Sequence, residues 1–264
     1  KHTTGTVLMS HSIKIVLVHG WGMNSAVWEK CTESFPDWIQ IILVDLPGHG
    51  SKSGNEATDF NSMVQTVAAE TTAPVIWVGW SLGGLVCLKL AELFPEKVLG
   101  LCLVATNPCF VKKDEWQSAI EQSVFDDFSA ALKSDIDKTI KRFLALQVAG
   151  SKTTISTIKT LQKALLSRGR ADSNALDLGL DILSGIDLRE SLKHIDLPMQ
   201  WILGSRDSLV PVSLVDSLQL ISPGSDIVVL EAAAHAPFIS HPEAFTESLI
   251  HFASAIRASN AADS

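Results

Sequence analysis

Six short runs of nearly unbroken apolar, largely β-branched residues set the architecture of this chain. They are Ile13 to Val18, Ile39 to Val44, Val75 to Val78, Val98 to Ala105, Met199 to Leu203 and Ile227 to Leu230. A strand with one wet face alternates polar and apolar residues, whereas a strand covered on both faces has no such alternation. Runs of this kind, separated by helix-length stretches, predict an α/β fold: a mostly parallel central sheet flanked by helices. Between the fourth and fifth runs the pattern changes, and roughly ninety residues carry helical periodicity without a β-branched strand run. Residues 107–197 are therefore expected to form a helical cap inserted into a core made of residues 1–106 and 198–258. Residues 259–264 are expected to be a disordered tail.

The third run leads directly into Gly79-Trp80-Ser81-Leu82-Gly83-Gly84, and an apolar stretch then continues to Phe94 before Pro95 ends it. This is G-x-S-x-G in the strand-to-helix setting that makes a nucleophile elbow. Turning the chain within one residue forces the central side chain outward in strained backbone geometry, and glycines on either side let neighbouring chain pass close by. Ser81 is thus the expected nucleophile. The N–H of Leu82, at the positive end of the helix, is expected to face an oxyanion formed on the attacked carbonyl. A second donor is expected from the loop after the first run, His19-Gly20-Trp21-Gly22. There the Trp21 N–H is assigned to the oxyanion, the Trp21 indole to a wall of the acyl pocket, and His19 to bracing the loop.

Serine needs an imidazole to take its proton and a carboxylate to fix the tautomer of that ring. Of eight histidines, His235 follows the last strand run in a loop of small residues, Glu231-Ala232-Ala233-Ala234-His235-Ala236-Pro237, that can enter a crowded site. His241 reads as a cap on the final helix, His251 as part of that helix, and His49 as part of the turn Pro47-Gly48-His49-Gly50. Asp207, in Gly204-Ser205-Arg206-Asp207, leaves the fifth run just before the His235 unit and gives the chain order Ser, Asp, His. Asp187 and Asp196 are weaker alternatives because both precede that run.

Composition narrows the remaining classes. The chain has 264 residues, 46% of them apolar, enough for one large core, and its net charge of −8 argues against a surface built for nucleic acid or anionic membrane. No apolar run reaches the roughly 18 residues that span a bilayer. Four cysteines, Cys31, Cys87, Cys102 and Cys109, lack C-x-x-C spacing, which argues against a disulfide framework or a structural zinc site. Lys1 to Gly5 show no apolar signal stretch, so a cytoplasmic location is expected; the protein is separately expected to be a monomer.

Taken together, His19-Gly20-Trp21-Gly22, Asp45-Leu46-Pro47-Gly48-His49-Gly50, the Ser81 elbow, Asp207 and His235 resemble an α/β-hydrolase nearly end to end. Gly79 to Val86, Asn107-Pro108-Cys109-Phe110, Asp114-Glu115-Trp116, Arg142 to Gln147 and Ala234 to Pro242 more narrowly resemble the BioH-type carboxylesterases of biotin synthesis. That resemblance implies hydrolysis of the methyl ester of a pimeloyl group on an acyl carrier protein, with no metal and no cofactor. It also implies that Trp21, Ser81, Leu82, His235 and the segment Phe143, Leu144, Ala145, Leu146 and Gln147 contact the substrate. Of four basic positions that the family uses for its carrier, three match as Lys138, Arg142 and Lys159, and the fourth is Ile155.

The charge pattern gives a separate reason to expect an acidic partner. From Lys138 to Arg170 there are eight basic residues and no acid, so the rest of a chain of net charge −8 carries −16. On a helical wheel Ile136, Ile140, Phe143 and Leu144 share one face while Lys138, Lys141 and Arg142 lie opposite; Lys152, Lys159 and Lys163 form a second stripe. A basic platform on an acidic protein suits an acyl carrier protein, although a solvated lysine face has the same pattern. Other readings remain open: a carboxylesterase of broad specificity, a carbon–carbon bond hydrolase with the same triad, and a ligand receptor built on a hydrolase scaffold.

Overall fold

The computed structural model describes residues 12–149 and 154–262. Its centre is a six-stranded sheet in the order β2-β1-β3-β4-β5-β6, with every neighbouring pair parallel. The strands are β1 (Ile13–Val18), β2 (Ile39–Val44), β3 (Val75–Trp80), β4 (Val98–Val104), β5 (Met199–Gly204) and β6 (Asp226–Leu230). They coincide with the six apolar runs apart from small differences at the ends. Every residue of β3 and β5 is buried, whereas β2 and β6, at the sheet edges, are partly open. Lack of alternation in the sequence thus reflects burial on both faces.

Helices α1 (Glu29–Thr32), α2 (Phe60–Ala68) and α3 (Leu82–Leu93) follow the first three strands. Between β4 and β5 lie α4 (Gln122–Ser134), α5 (Ile136–Leu146), α6 (Thr154–Ser167), α7 (Ser173–Gly185) and α8 (Arg189–Lys193). Helix α9 (Leu214–Ile221) joins β5 to β6, and α10 (Pro237–Ser240) and α11 (Pro242–Ala262) close the chain. Local chemistry marks several starts: Asp59 and Ser62 form a reciprocal capping box on α2, and the Asp135 carboxylate accepts the Lys138 N–H on α5.

The helical segment between β4 and β5 leaves and returns at one place. Cys109 and Asp187 form an isolated antiparallel bridge, and the Leu188 N–H donates to the Pro108 carbonyl at 2.8 Å. Strand order also reverses at β1, whose chain continues to β2 on one side and crosses to β3 on the other. The loops after β1 and β3 therefore part at the carboxyl edge of the sheet and open a crevice there.

One expectation needs correction. Residues 259–262, expected in a disordered tail, continue α11 as its last turn, and Asp263 and Ser264 lie outside the described residues. Alanine has the strongest helix propensity, so Ala258, Ala261 and Ala262 prolong a helix already held by the buried Phe245, Leu249, Phe252 and Ile256. All four cysteines are buried free thiols, and burial pushes Cys31 up to about 12. Among the described residues no helix is long and apolar enough to cross a membrane.

Candidate active site

Ser81 sits between β3 and α3 with φ 54° and ψ −116°, a conformation that L-residues rarely adopt. Three hydrogen bonds hold the bend: Ser81 N–H donates to Val104 O at 3.0 Å, and Ser81 O accepts both Thr106 Oγ1–H at 2.7 Å and the Gly84 N–H at 2.9 Å. The glycines of the motif are required by contact. A Cβ on Gly79 would fall on the Gly83 carbonyl, and one on Gly83 would lie 2.5 Å from Val18 O. Helix α3 begins at Leu82 and is buried almost all round, which directs its amino end at the serine.

The loops after β5 and β6 meet beside this bend. His235 Nδ1–H donates to Asp207 Oδ2 at 2.7 Å, and both side chains are excluded from solvent. Asp207 is itself fixed, because its Oδ1 accepts the Leu209 N–H at 2.8 Å and the Val210 N–H at 3.0 Å. His235 is held by its backbone as well: its carbonyl accepts the Trp80 indole N–H at 2.7 Å, and its N–H donates to Gln147 O at 3.0 Å. The Trp80 and His235 rings lie 5.8 Å apart, so the imidazole packs against the residue preceding Ser81. His235 Nε2, the nitrogen expected to receive the serine proton, is buried without a hydrogen-bond partner among the described residues. The Ser81–His235 bond itself is therefore not made in this structure, as is common before substrate draws such groups together. Asp187 is engaged with Arg189 and Lys113, and Asp196 is exposed.

The loop after β1 lies over the elbow, where a Cβ on Gly20 would come within 3.3 Å of Ser81 Cβ. The Trp21 N–H has no acceptor among the described residues, whereas its indole N–H donates to Leu176 O of α7 at 2.8 Å. The same indole meets Phe143 edge-on at 4.8 Å between ring centroids. His19 braces this loop, donating through Nδ1–H to Gly20 O at 2.8 Å and accepting the Leu46 N–H at Nε2 at 3.0 Å. That pairing requires the neutral ring. Burial, aided by nearby His49, accordingly pushes the His19 pKa down to about 3.

Leu144 is buried, Phe143 and Leu146 are half-buried against the core, and Ala145 is exposed. Gln147 is completely buried, and neither its amide oxygen nor its amide nitrogen has a partner among the described residues. On the opposite face of α5, Lys138, Lys141 and Arg142 are exposed, with Arg142 stacked 5.0 Å above the Phe128 ring. Lys159 and Lys163 are exposed on α6, Lys152 lies outside the described residues, and Ile155 is 73% exposed. Two of the eight basic residues are tied up, Arg170 with Asp137 and Arg168 with Glu29 and Ser25. His241 shares a hydrogen bond with Ser240 rather than capping α11 through its ring, though its carbonyl does accept the Phe245 N–H.

Several supports were not visible in the sequence. Thr106 and the Trp80 indole carry no motif, and their partners, Ser81 and His235, are distant in the chain. Asn24 was findable as a cap: its Oδ1 accepts the Ala26 N–H, while its Nδ2 donates to the carbonyls of Ala164, Leu165 and Gly169 around the end of α6.

A doubly covered parallel sheet with a strained serine at the switch crevice and a carboxylate-paired histidine beside it is hydrolase geometry, and the chain belongs to the alpha/beta hydrolase family, whose model matches residues 15–248. Over 242 residues it is 40% identical to the pimeloyl-[acyl-carrier protein] methyl ester esterase of Salmonella newport (strain SL254), covering 92% of this chain and 94% of that one. The protein of the same name from Aliivibrio fischeri (strain MJ11) is 40% identical over 238 residues, 90% of this chain and 92% of that one. Among solved structures, an esterase from Exiguobacterium antarcticum superposes with a TM-score of 0.81 at 23% identity, covering 92% of each chain, a likeness of fold.

Proposed function

We propose that this protein is a serine carboxylesterase that hydrolyses the methyl ester of a pimeloyl group carried on acyl carrier protein, releasing methanol and leaving the free acid on its carrier. The observation that supports the reading most is the Asp207–His235 pair: its 2.7 Å bond engages Nδ1 and leaves Nε2, across the ring, without a partner among the described residues. The curated relatives named above supply the ester class.

In this reading Ser81 Oγ attacks the ester carbonyl while His235 Nε2 takes its proton, and Asp207 stays ionised and stabilises the imidazolium. The N–H groups of Trp21 and Leu82 receive the oxyanion. The imidazolium then protonates the departing methanol; water, deprotonated by the same ring, attacks the acyl-enzyme and returns the proton to Ser81. Residues 107–197 act as a cap over this centre, with Trp21, Phe143, Leu144, Ala145, Leu146 and Gln147 lining the acyl channel. The orphaned Gln147 amide supports the assignment, because burying such a group without a partner costs about 1–3 kcal/mol unless a substrate group supplies one.

An acidic carrier docks on Lys138, Arg142 and Lys159, which are exposed side chains on α5 and α6. Ile155 offers that partner an apolar contact where charge was expected. The reading places the enzyme in the cytoplasm as a monomer, acting on a protein partner without metal or organic cofactor.

The test is incubation with pimeloyl-carrier methyl ester, following methanol and the free acid by mass spectrometry. Ser81→Ala should keep the fold and lower turnover by several decades; a loss under tenfold refutes the serine mechanism. Lys138→Glu with Arg142→Glu should slow hydrolysis of the carrier-linked ester at least tenfold while sparing a short p-nitrophenyl ester, and equal effects on both refute docking at this face.

A further inference from the structure

Helix α7 lies directly over the loops that carry the proposed oxyanion donors. A Cβ on Gly48, in the turn after β2, would fall on Ala175, and one on Gly22 would come within 3.4 Å of the Leu176 side chain. One turn further on, a Cβ on Gly179 would lie 2.5 Å from Trp21 Cδ1, 3.1 Å from Trp21 Nε1 and 3.3 Å from Leu82 Cδ2. The helix therefore touches the residues on both sides of the proposed oxyanion hole, and it does so with its backbone. The contact has direction too, since the Trp21 indole N–H donates to Leu176 O, on the same face of α7.

We infer that Gly179 and the Leu176 carbonyl are positioning elements for the oxyanion hole, holding the Trp21 indole so that the Trp21 main-chain N–H stays aimed at the reacting carbonyl. The inference rests on the catalytic reading above and adds to it a specific role for α7. Trp21 lies between glycines 20 and 22 in a turn closed by the Met23 N–H on Gly20 O at 3.3 Å and braced by His19, with Gly22 at φ +66°. Side-chain anchoring adds a second constraint on the same residue. It has two parts, a hydrogen bond of 2.8 Å to Leu176 O and close packing against the bare Cα of Gly179. Oxyanion donors act only if preorganised, and a displacement well below 1 Å weakens a bond formed at about 2.7–3.1 Å. Glycine in the middle of a helix is less favourable than alanine, so Gly179 is a residue that helix stability alone does not favour.

The experiment compares Gly179→Ala, Trp21→Phe, Trp21→Ala and the double variant Gly179→Ala with Trp21→Ala, on a short p-nitrophenyl ester. Gly179→Ala should lower kcat at least tenfold with KM within about twofold, since a short ester makes little use of the acyl channel that the indole lines while the donor carried by the same residue acts in the transition state. It should weaken binding of a boronic acid, whose tetrahedral adduct on serine carries the oxyanion, by a similar factor. Trp21→Phe, which removes the bond to Leu176 without adding bulk, should shift kcat in the same direction. In the Trp21→Ala background the alanine at 179 has no indole to displace and should cost less than twofold; this double variant also answers the question if the single variant folds poorly. Gly179→Ala with unchanged kcat and a native melting profile, or an equal loss in both backgrounds, overturns the inference. Wild-type protein that turns over no ester overturns the catalytic reading and this inference with it, so the two failures are distinguishable.

Discussion

Replacing Asp207 with asparagine isolates what the carboxylate does. Asp207 Oδ1 accepts two backbone N–H groups, from Leu209 and Val210, and Oδ2 accepts His235 Nδ1–H. Only an oxygen can serve the backbone pair, so in Asp207→Asn the amide oxygen takes the Oδ1 position and the NH2 faces the imidazole. The ring must then accept at Nδ1 and carry its proton on Nε2, where it blocks transfer from Ser81. A triad held in this wrong tautomer loses about 10⁴-fold in kcat, or about 5.4 kcal/mol of transition-state stabilisation. Stability should change little, because both backbone N–H groups keep their acceptor and the new amide keeps a partner. Steady-state turnover of a p-nitrophenyl ester, read beside a urea melt, makes the comparison. Asp207→Asn with native stability and more than a tenth of wild-type kcat would refute the assignment of the acid. Asp207→Ala should instead cost stability as well, since it strands the buried Val210 N–H, at about 1–3 kcal/mol, together with the part-buried Leu209 N–H.

Two further outcomes follow from buried groups. His19 is held neutral with its pKa pushed down to about 3, below the ordinary value of about 6.5 that the unfolded chain restores. The unfolded state therefore binds the extra proton as pH drops below about 6.5, and stability is lost from there down toward pH 3 by up to about 1.4 kcal/mol per unit. His49, also lowered by burial, adds in the same direction. Asp45 contributes only at lower pH: burial raises its pKa, but hydrogen bonds from Ser51 and Ser25 outweigh that and hold it at about 2. Urea midpoints at pH 7.5, 6.0 and 4.5 check the slope, and a flat profile would contradict it. Gln147→Leu, nearly isosteric, should stabilise the ligand-free protein by about 1 kcal/mol, or ~2–4 °C in Tm, while lowering kcat/KM; destabilisation would mean that the amide has partners of its own.

The strands were legible because burial on both faces leaves a compositional mark that needs no knowledge of partners. The Ser81 elbow was legible for a related reason: local sterics demand glycine at Gly79 and Gly83, and those demands are written in adjacent positions. His235 and Asp207 could be picked from competitors by chain order and loop composition, although their 2.7 Å contact depends on two loops brought together by the sheet. What stayed hidden was support supplied by main-chain atoms. Leu176 O and Gln147 O are main-chain carbonyls that any residue would provide, so the sequence at those positions says nothing about the bonds. Gly179 was invisible for the converse reason, since a lone glycine within a helical pattern is ambiguous until its neighbour is known. Residues 259–262 escape a reading from local composition for a different reason: the helix that carries them onward is held by packing further back, at Phe245, Leu249, Phe252 and Ile256.

Those two carbonyls limit how this hydrolase can be re-engineered. Exchanging residues 107–197 for the corresponding insertion of a cousin looks attractive, since the segment departs and rejoins at Pro108 and Leu188. Any graft must nevertheless present one oxygen to the Trp21 indole and another to the His235 amide, at the same two points in space. If the inserted segment sets specificity as proposed, a chimaera that fails to do so would combine a new substrate pocket with a slackened centre, and its poor turnover would be misread as poor substrate choice.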